Sequence, residues 1–154
     1  MQRKHYERQV KARDASKLSI GIVVSRFNED ITEGMLTGAL KTLAEWKVKR
    51  ANITVLRVPG SFEIPYGCQK LILKKRPDVV IALGCIIKGE TKHDEYIAHA
   101  VSYGIMRLSL DYKIPVMFVV LTPNTLEQAK ARSSGRSNKG REAALAALET
   151  ALLG

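Results

Sequence analysis

The chain has 154 residues, 45% of them hydrophobic and 26% charged, with a net charge of +10. That size and balance suit one globular domain able to bury a real core. No apolar run approaches the roughly 20 residues needed to cross a bilayer, which excludes a membrane-spanning reading.

The net positive charge raises a nucleic-acid reading, so its location matters. Residues 1–17 hold six Lys/Arg against two Asp/Glu, and the rest is spread along the chain. There is no RNA-binding aromatic motif, no zinc-ligand spacing and no basic repeat. The charge therefore reads as a solvated basic surface without a specific nucleic-acid partner, able to draw in small phosphorylated substrates. Residues 1–17 show neither a firm strand nor a firm helix pattern and no apolar signal-peptide core. They are expected to be a basic, mobile lead-in to one domain over residues 18–154, in a cytoplasmic protein.

From there the elements follow in order. An apolar run over Leu18–Ser25, rich in Val and Ile and without polar alternation, predicts a strand buried on both faces. Its following loop, Arg26–Asp30, places Phe27 where an aromatic can stack on a flat heterocycle or simply plug the core. Ile31, Met35, Ala39, Leu43 and Trp46 then fall on one face of a helix.

A second strand covers Ile53–Val58 and runs into the Pro-Gly turn of Pro59–Phe62. That turn presents backbone amides, the Ser61 hydroxyl, Phe62 and the Glu63 carboxylate to the same edge. Such groups suit a polyhydroxylated or amide-rich ligand, although Glu63 can equally serve the dipole of the next helix. Ile64, Cys68, Leu71 and Ile72 mark that helix.

The third strand, Val79–Leu83, leads into the loop Gly84–His93. Thr91 and Asp94 have the spacing of a capping box, and a helix start with free N–H groups is an anion site. Gly89 lets the backbone approach a phosphate closely. His93 lies in the first turn, where an imidazole can move protons in either direction. Plain capping and a surface histidine are the competing readings here. His99, six residues on, is at the wrong spacing for a shared metal, so no metal is expected. Ile97, Val101, Ile105 and Leu108 mark the helix itself.

A fourth strand, Val116–Leu121, is followed by the loop Thr122–Asn124, a short helix near Thr125–Arg132 and a final one near Lys139–Leu153. Between these two helices, Arg132, Arg136 and Lys139 form a basic cluster that fails the spacing of a phosphate-binding P-loop. It reads either as a solvated connection or as an arginine meeting a phosphate from another direction. Cys68 and Cys85 sit in apolar stretches and read as buried free thiols of a reducing compartment.

Strands alternating with helices imply right-handed crossovers. The fold class is therefore α/β: a three-layer αβα sandwich around a four-stranded parallel sheet, flavodoxin-like. In such sheets ligands bind beyond the carboxyl ends of the strands, so the four loops above share one edge.

Read together, Arg26-Phe27-Asn28, Val58 to Pro65, Ala82 to His93, Pro115 to Phe118 and Asn138-Lys139-Gly140 resemble the lumazine synthase family over about Leu18–Leu153. The resemblance implies a transferase of riboflavin biosynthesis. The reaction joins 5-amino-6-(D-ribitylamino)uracil to 3,4-dihydroxy-2-butanone 4-phosphate, giving 6,7-dimethyl-8-ribityllumazine, phosphate and water, with no metal or organic cofactor. It implies roles residue by residue. Phe27 stacks on the pyrimidinedione ring, and Ser61, Phe62 and Glu63 hold the ring and ribityl chain. Cys85, Ile86 and Ile87 line the pocket with backbone groups. Glu90, Thr91 and Arg132 bind phosphate, while His93 transfers protons, oriented by Glu95. Phe118 and Lys139 complete the pocket. It also implies a homo-oligomer, a pentamer or a pentamer-based 60-subunit shell, with the site between adjacent subunits and Phe118 and Arg132 coming from a neighbour. The chain departs from the family in three places: no short apolar strand in residues 1–17, Cys at position 85, and an Arg132–Asn138 connection one residue shorter than usual. The competing reading is a non-catalytic lumazine- or flavin-binding, shell-forming scaffold of the same fold.

Overall fold

A computed structural model describes residues 10–153. Four strands form one sheet: β1 (Ile20–Ser25), β2 (Ile53–Val58), β3 (Val79–Cys85) and β4 (Val116–Leu121). Their spatial order is β2-β1-β3-β4, and every pair is parallel. The two central strands, β1 and β3, are buried at every position, whereas the edge strands are half-exposed. This is why the apolar runs do not alternate.

Two strand limits differ from the sequence reading. β1 starts at Ile20, because the Ser19 N–H donates to Asp78 Oδ2 at 2.7 Å rather than entering the sheet. β3 continues through Gly84 and Cys85, which pair with Val120 and Leu121 of β4. A glycine marks a break in sequence, but pairing on a central strand overrides it.

Helices cover both faces. On one face lie α1 (Glu29–Glu45) and α5 (Lys139–Ala151), with the short α4 (Leu126–Arg132) beside them. On the other lie α2 (Ile64–Lys75) and α3 (His93–Tyr112). Ile22 and Val24 of β1 pack with Ile31, Met35 and Leu43 on the first face, while Val23 packs with Ile64, Cys68 and Ile105 on the second. This alternation is the two-residue repeat of a strand. α1 and α5 approach so closely that a Cβ at Gly140 would land on the Met35 carbonyl.

The connection before α5 is organised by Asn138, a buried side chain. Its Oδ1 accepts from the Gly140 N–H at 2.8 Å, and its amide donates to the carbonyls of Gly34 and Ser133, each at 3.0 Å. It thus caps α5 and pins the α4–α5 connection to α1 at once.

Of the basic segment 1–17, residues 1–9 lie outside the described structure. Within the remainder, Ala15 is buried in the core and its N–H donates to the Trp46 carbonyl at 2.9 Å.

Candidate active site

The C-terminal ends of β1, β2 and β3 bring three loops together. After β1, the N–H groups of Arg26 and Phe27 donate to the Pro59 carbonyl at 3.1 and 2.9 Å, so the first two loops are tied side by side. Phe27 is 71% exposed, which removes the reading that it plugs the core. Asn28 follows with a left-handed backbone, φ 59°. That conformation is rare except for Gly and Asn. Its amide donates to the Cys85 carbonyl at 2.9 Å, bridging the first and third loops.

After β2, Ser61–Glu63 makes a 3-10 turn. Glu63 Oε2 accepts from the Gly60 N–H at 2.9 Å, so the carboxylate braces its own turn while remaining exposed. Phe62 stands out at 61% exposure. The Ser61 hydroxyl is buried without a hydrogen-bond partner among the described residues, packed where Gly84 has no Cβ.

After β3, the Ile86 and Lys88 N–H groups donate to the carbonyls of Leu121 at 2.8 Å and Pro123 at 3.0 Å. The chain is then released into Gly89–Lys92 and re-enters helix at His93. The expected capping box is not formed. Lys92 is the N-cap, and the Thr91 hydroxyl accepts from the His93 N–H at 3.3 Å. Thr91 closes a local turn instead, as short hydroxyl side chains do. Asp94 and Glu95 remain in the first turn, where the helix dipole favours acids.

These loops line a cleft of about 650 Å³. Nine residues named from the sequence line it: Phe27, Ser61, Phe62, Glu63, Cys85, Ile86, Ile87, Thr91 and His93. Asn28, Asp94, Tyr96 and Ile97 join them without having been singled out for the site. The signal for two of these was present: Tyr96 and Ile97 follow His93 at three and four residues and so share its helix face.

His93 is exposed to this cleft, and its side chain makes no hydrogen bond with Glu95 or any other described residue. The expected orientation by Glu95 is corrected by helix geometry, since positions i and i+2 do not face each other.

Among the described residues, no Lys or Arg lines the cleft. The remaining site residues lie elsewhere on the chain. Glu90 is exposed beside the cleft but does not line it. Phe118, 47% exposed, and Lys139 share a second cleft of about 330 Å³ between edge strand β4 and α5. There Lys139 Nζ pairs with Glu142 Oε2 at 3.0 Å. Arg132 lines neither cleft, and its Nη1 donates to the Gln128 carbonyl of its own helix at 2.9 Å.

Both cysteines are buried free thiols. Burial pushes Cys68 up to about 12 and Cys85 up to about 11, so neither is a thiolate nucleophile near neutral pH. Among the described residues, no three His, Cys, Asp or Glu side chains are grouped to hold a metal ion. None of the described helices is long and apolar enough to cross a membrane.

The family model described as 6,7-dimethyl-8-ribityllumazine synthase matches residues 17–154. Proteins of that name show the same likeness. The one from Parabacteroides distasonis is 47% identical over 88% of this chain and 86% of its own length. The one from Flavobacterium psychrophilum is 45% identical over 91% of this chain and 75% of its own. The one from Kosmotoga olearia is 47% identical over 88% of each.

Proposed function

The chain belongs to the 6,7-dimethyl-8-ribityllumazine synthase family, and on that premise we propose the following account of its reaction and site. The protein condenses 5-amino-6-(D-ribitylamino)uracil with 3,4-dihydroxy-2-butanone 4-phosphate. The products are 6,7-dimethyl-8-ribityllumazine, phosphate and water. The observation that carries this reading is the convergence of Phe27, Glu63 and His93, from three separate loops, on one cleft.

The uracil ring stacks on Phe27, with its polar edge against backbone groups of Cys85, Ile86 and Ile87. Ser61, Phe62 and Glu63 hold the ribityl chain. The phosphate of the second substrate sits at the start of α3, against the backbone of Glu90 and Thr91, where the dipole favours an anion. The 5-amino group attacks the ketone, and water leaves as the imine forms. The phosphate then departs with the electron pair of its C–O bond. The ribityl-bearing nitrogen closes the ring, and a second water is lost. His93 carries protons between these steps. Holding two substrates in register supplies much of the acceleration, and stabilising the departing phosphate supplies more.

Among the described residues of one chain, no Lys or Arg lines the cleft that would hold that phosphate. The reading is completed by a homo-oligomer in which an adjacent copy brings Phe118, Lys139 and Arg132 to the open side of the cleft. The contact joins two different surfaces, the cleft side and the β4–α5 side, so it is heterologous, the kind of contact that forms a ring when its rotation closes. We assign that ring as a pentamer, free or assembled into a 60-subunit shell, in the cytoplasm. The test is to supply both substrates to the purified protein. Fluorescent lumazine and one phosphate per product are expected. Binding of substrate without turnover would instead favour a non-catalytic scaffold.

A further inference from the structure

The positive charge that looks dispersed in the sequence is gathered in space at the end of the domain opposite the substrate cleft. Each α-to-β connection returns the chain to the N-terminal end of the sheet, and three of these returns are basic. The turn after α1 carries Lys47, Lys49 and Arg50. α2 closes on Lys74, Lys75 and Arg76, and the turn after α3 holds Lys113. All seven are exposed, and none makes an ion pair or hydrogen bond through its side chain among the described residues. Of the acids nearby, Asp111 is paired with Arg107, Asp78 accepts from Ser19, and Asp14 accepts from Ser16 and feels the charge of Lys47. Glu45 and Glu149 also lie towards this end, so five acids stand near the seven cations.

Backbone conformation adds a second, independent observation. Apart from Asn28, the described non-glycine residues with positive φ are Lys47 (63°), Arg76 (48°) and Lys113 (56°). These are the residues that end α1, α2 and α3. Glycine adopts this conformation without penalty and is the usual choice there. A basic side chain stands instead at all three helix ends. One cation per helix end would complement the dipole, but that does not account for clusters of three at two of them.

We propose that this end of the domain is a nucleic-acid-binding face that grips the phosphate backbone without reading base sequence. With strands about 4.8 Å apart and the order β2-β1-β3-β4, the three turns spread over about 14 Å. A duplex presents one phosphate charge per roughly 1.7 Å of its axis, so several phosphates fall within that span. Base edges and stacking platforms play no part. Of the strongly exposed aromatics, Phe27, Phe62 and Tyr96 lie at the cleft end and Tyr66 and Tyr103 lie between α2 and α3, so none belongs to the three basic turns. The proposal does not rest on the synthase reading.

The test uses the purified protein and a labelled DNA duplex of mixed sequence, about 20 base pairs long, at about 50 to 200 mM salt. Affinity is expected to fall linearly with salt on a log–log scale. The triple variant Lys47→Asn, Arg76→Asn, Lys113→Asn keeps a residue that tolerates the left-handed backbone. It should reduce the salt slope by about 2.7, at about 0.9 per lost phosphate contact, and the low-salt affinity about tenfold or more. Its lumazine formation should be unchanged. Lys41→Gln, Lys70→Gln, Lys130→Gln removes the same charge elsewhere and should change affinity less than about twofold. Equal weakening by the two triples, no effect of the first, or no salt-dependent binding by the unaltered protein would each overturn the proposal.

Discussion

On the proposed reading, the cleft beneath Phe27 and the groove beside β4 each supply half of the site, and they are deficient in opposite ways. The first has His93, an aromatic face and a helix start, but among the described residues no Lys or Arg lines it. The second has an aromatic, Phe118, and a cation, Lys139, that is held by Glu142. Among the described residues, no histidine lines it. Arg132 stands apart from both and spends its guanidinium on a main-chain carbonyl of its own helix. On the proposed reading, the charge that completes this cleft is displayed on another surface, which an adjacent copy presents.

The sharpest way to break this contrast is His93→Ala. If His93 is the proton carrier of the cleft, kcat should fall by about 10²- to 10⁴-fold with KM little changed, in a steady-state lumazine assay. A fall smaller than about tenfold would make the cleft a binding site only.

Arg132→Ala should act differently. It should raise KM for the phosphorylated substrate by about 10- to 100-fold, the size of one charge-assisted hydrogen bond, and leave KM for the uracil unchanged. Equal effects on both KM values would remove Arg132 from the phosphate.

Asn28→Ala removes the amide bridge to Cys85 and leaves a residue ill suited to φ 59°. Thermal unfolding should show a loss of about 1–3 kcal/mol. KM for the uracil should rise severalfold, because the Cys85–Ile87 backbone loses its brace. The smallest effect belongs to Cys85→Ala. Burial pushes this thiol up to about 11, so it stays protonated in the assay range. The pH–rate profile between about pH 6 and 9 should overlay that of the unaltered protein, with rates within about twofold. The sign for stability is also fixed. Folded Cys68 and Cys85 hold their protons above the ordinary value of 9.0. Their contribution to stability is therefore constant below about pH 9 and declines above it, as the unfolded thiols ionise first.

The sequence made the architecture plain for a physical reason: doubly buried strands leave unbroken apolar runs, and β2 and β4 have the limits those runs suggest. It was less informative where partners distant in sequence decide. Cys85 extends β3 only because Leu121 lies opposite. Phe27 had two readings until the first loop was seen tied to Pro59 and turned outward. Thr91 has capping-box spacing, but a turn to the His93 N–H forms instead. The nine cleft residues came together because all lie at or just beyond the C-terminal ends of β1 to β3, a placement topology dictates. Whether Phe118 and Lys139 meet them depends on a second copy, and no periodicity within one chain encodes that.

The central proposal is that the working site lies between copies, and mixing two impaired variants, assayed with the phosphorylated substrate well below its KM, tests it most directly. His93→Ala subunits keep Arg132, and Arg132→Ala subunits keep His93. After joint dissociation and reassembly, about one interface in four should pair an intact cleft with an intact arginine, so activity should recover to about a quarter of the unaltered level. Activity no greater than the mean of the two variants measured separately would contradict the account and place the whole site within one chain.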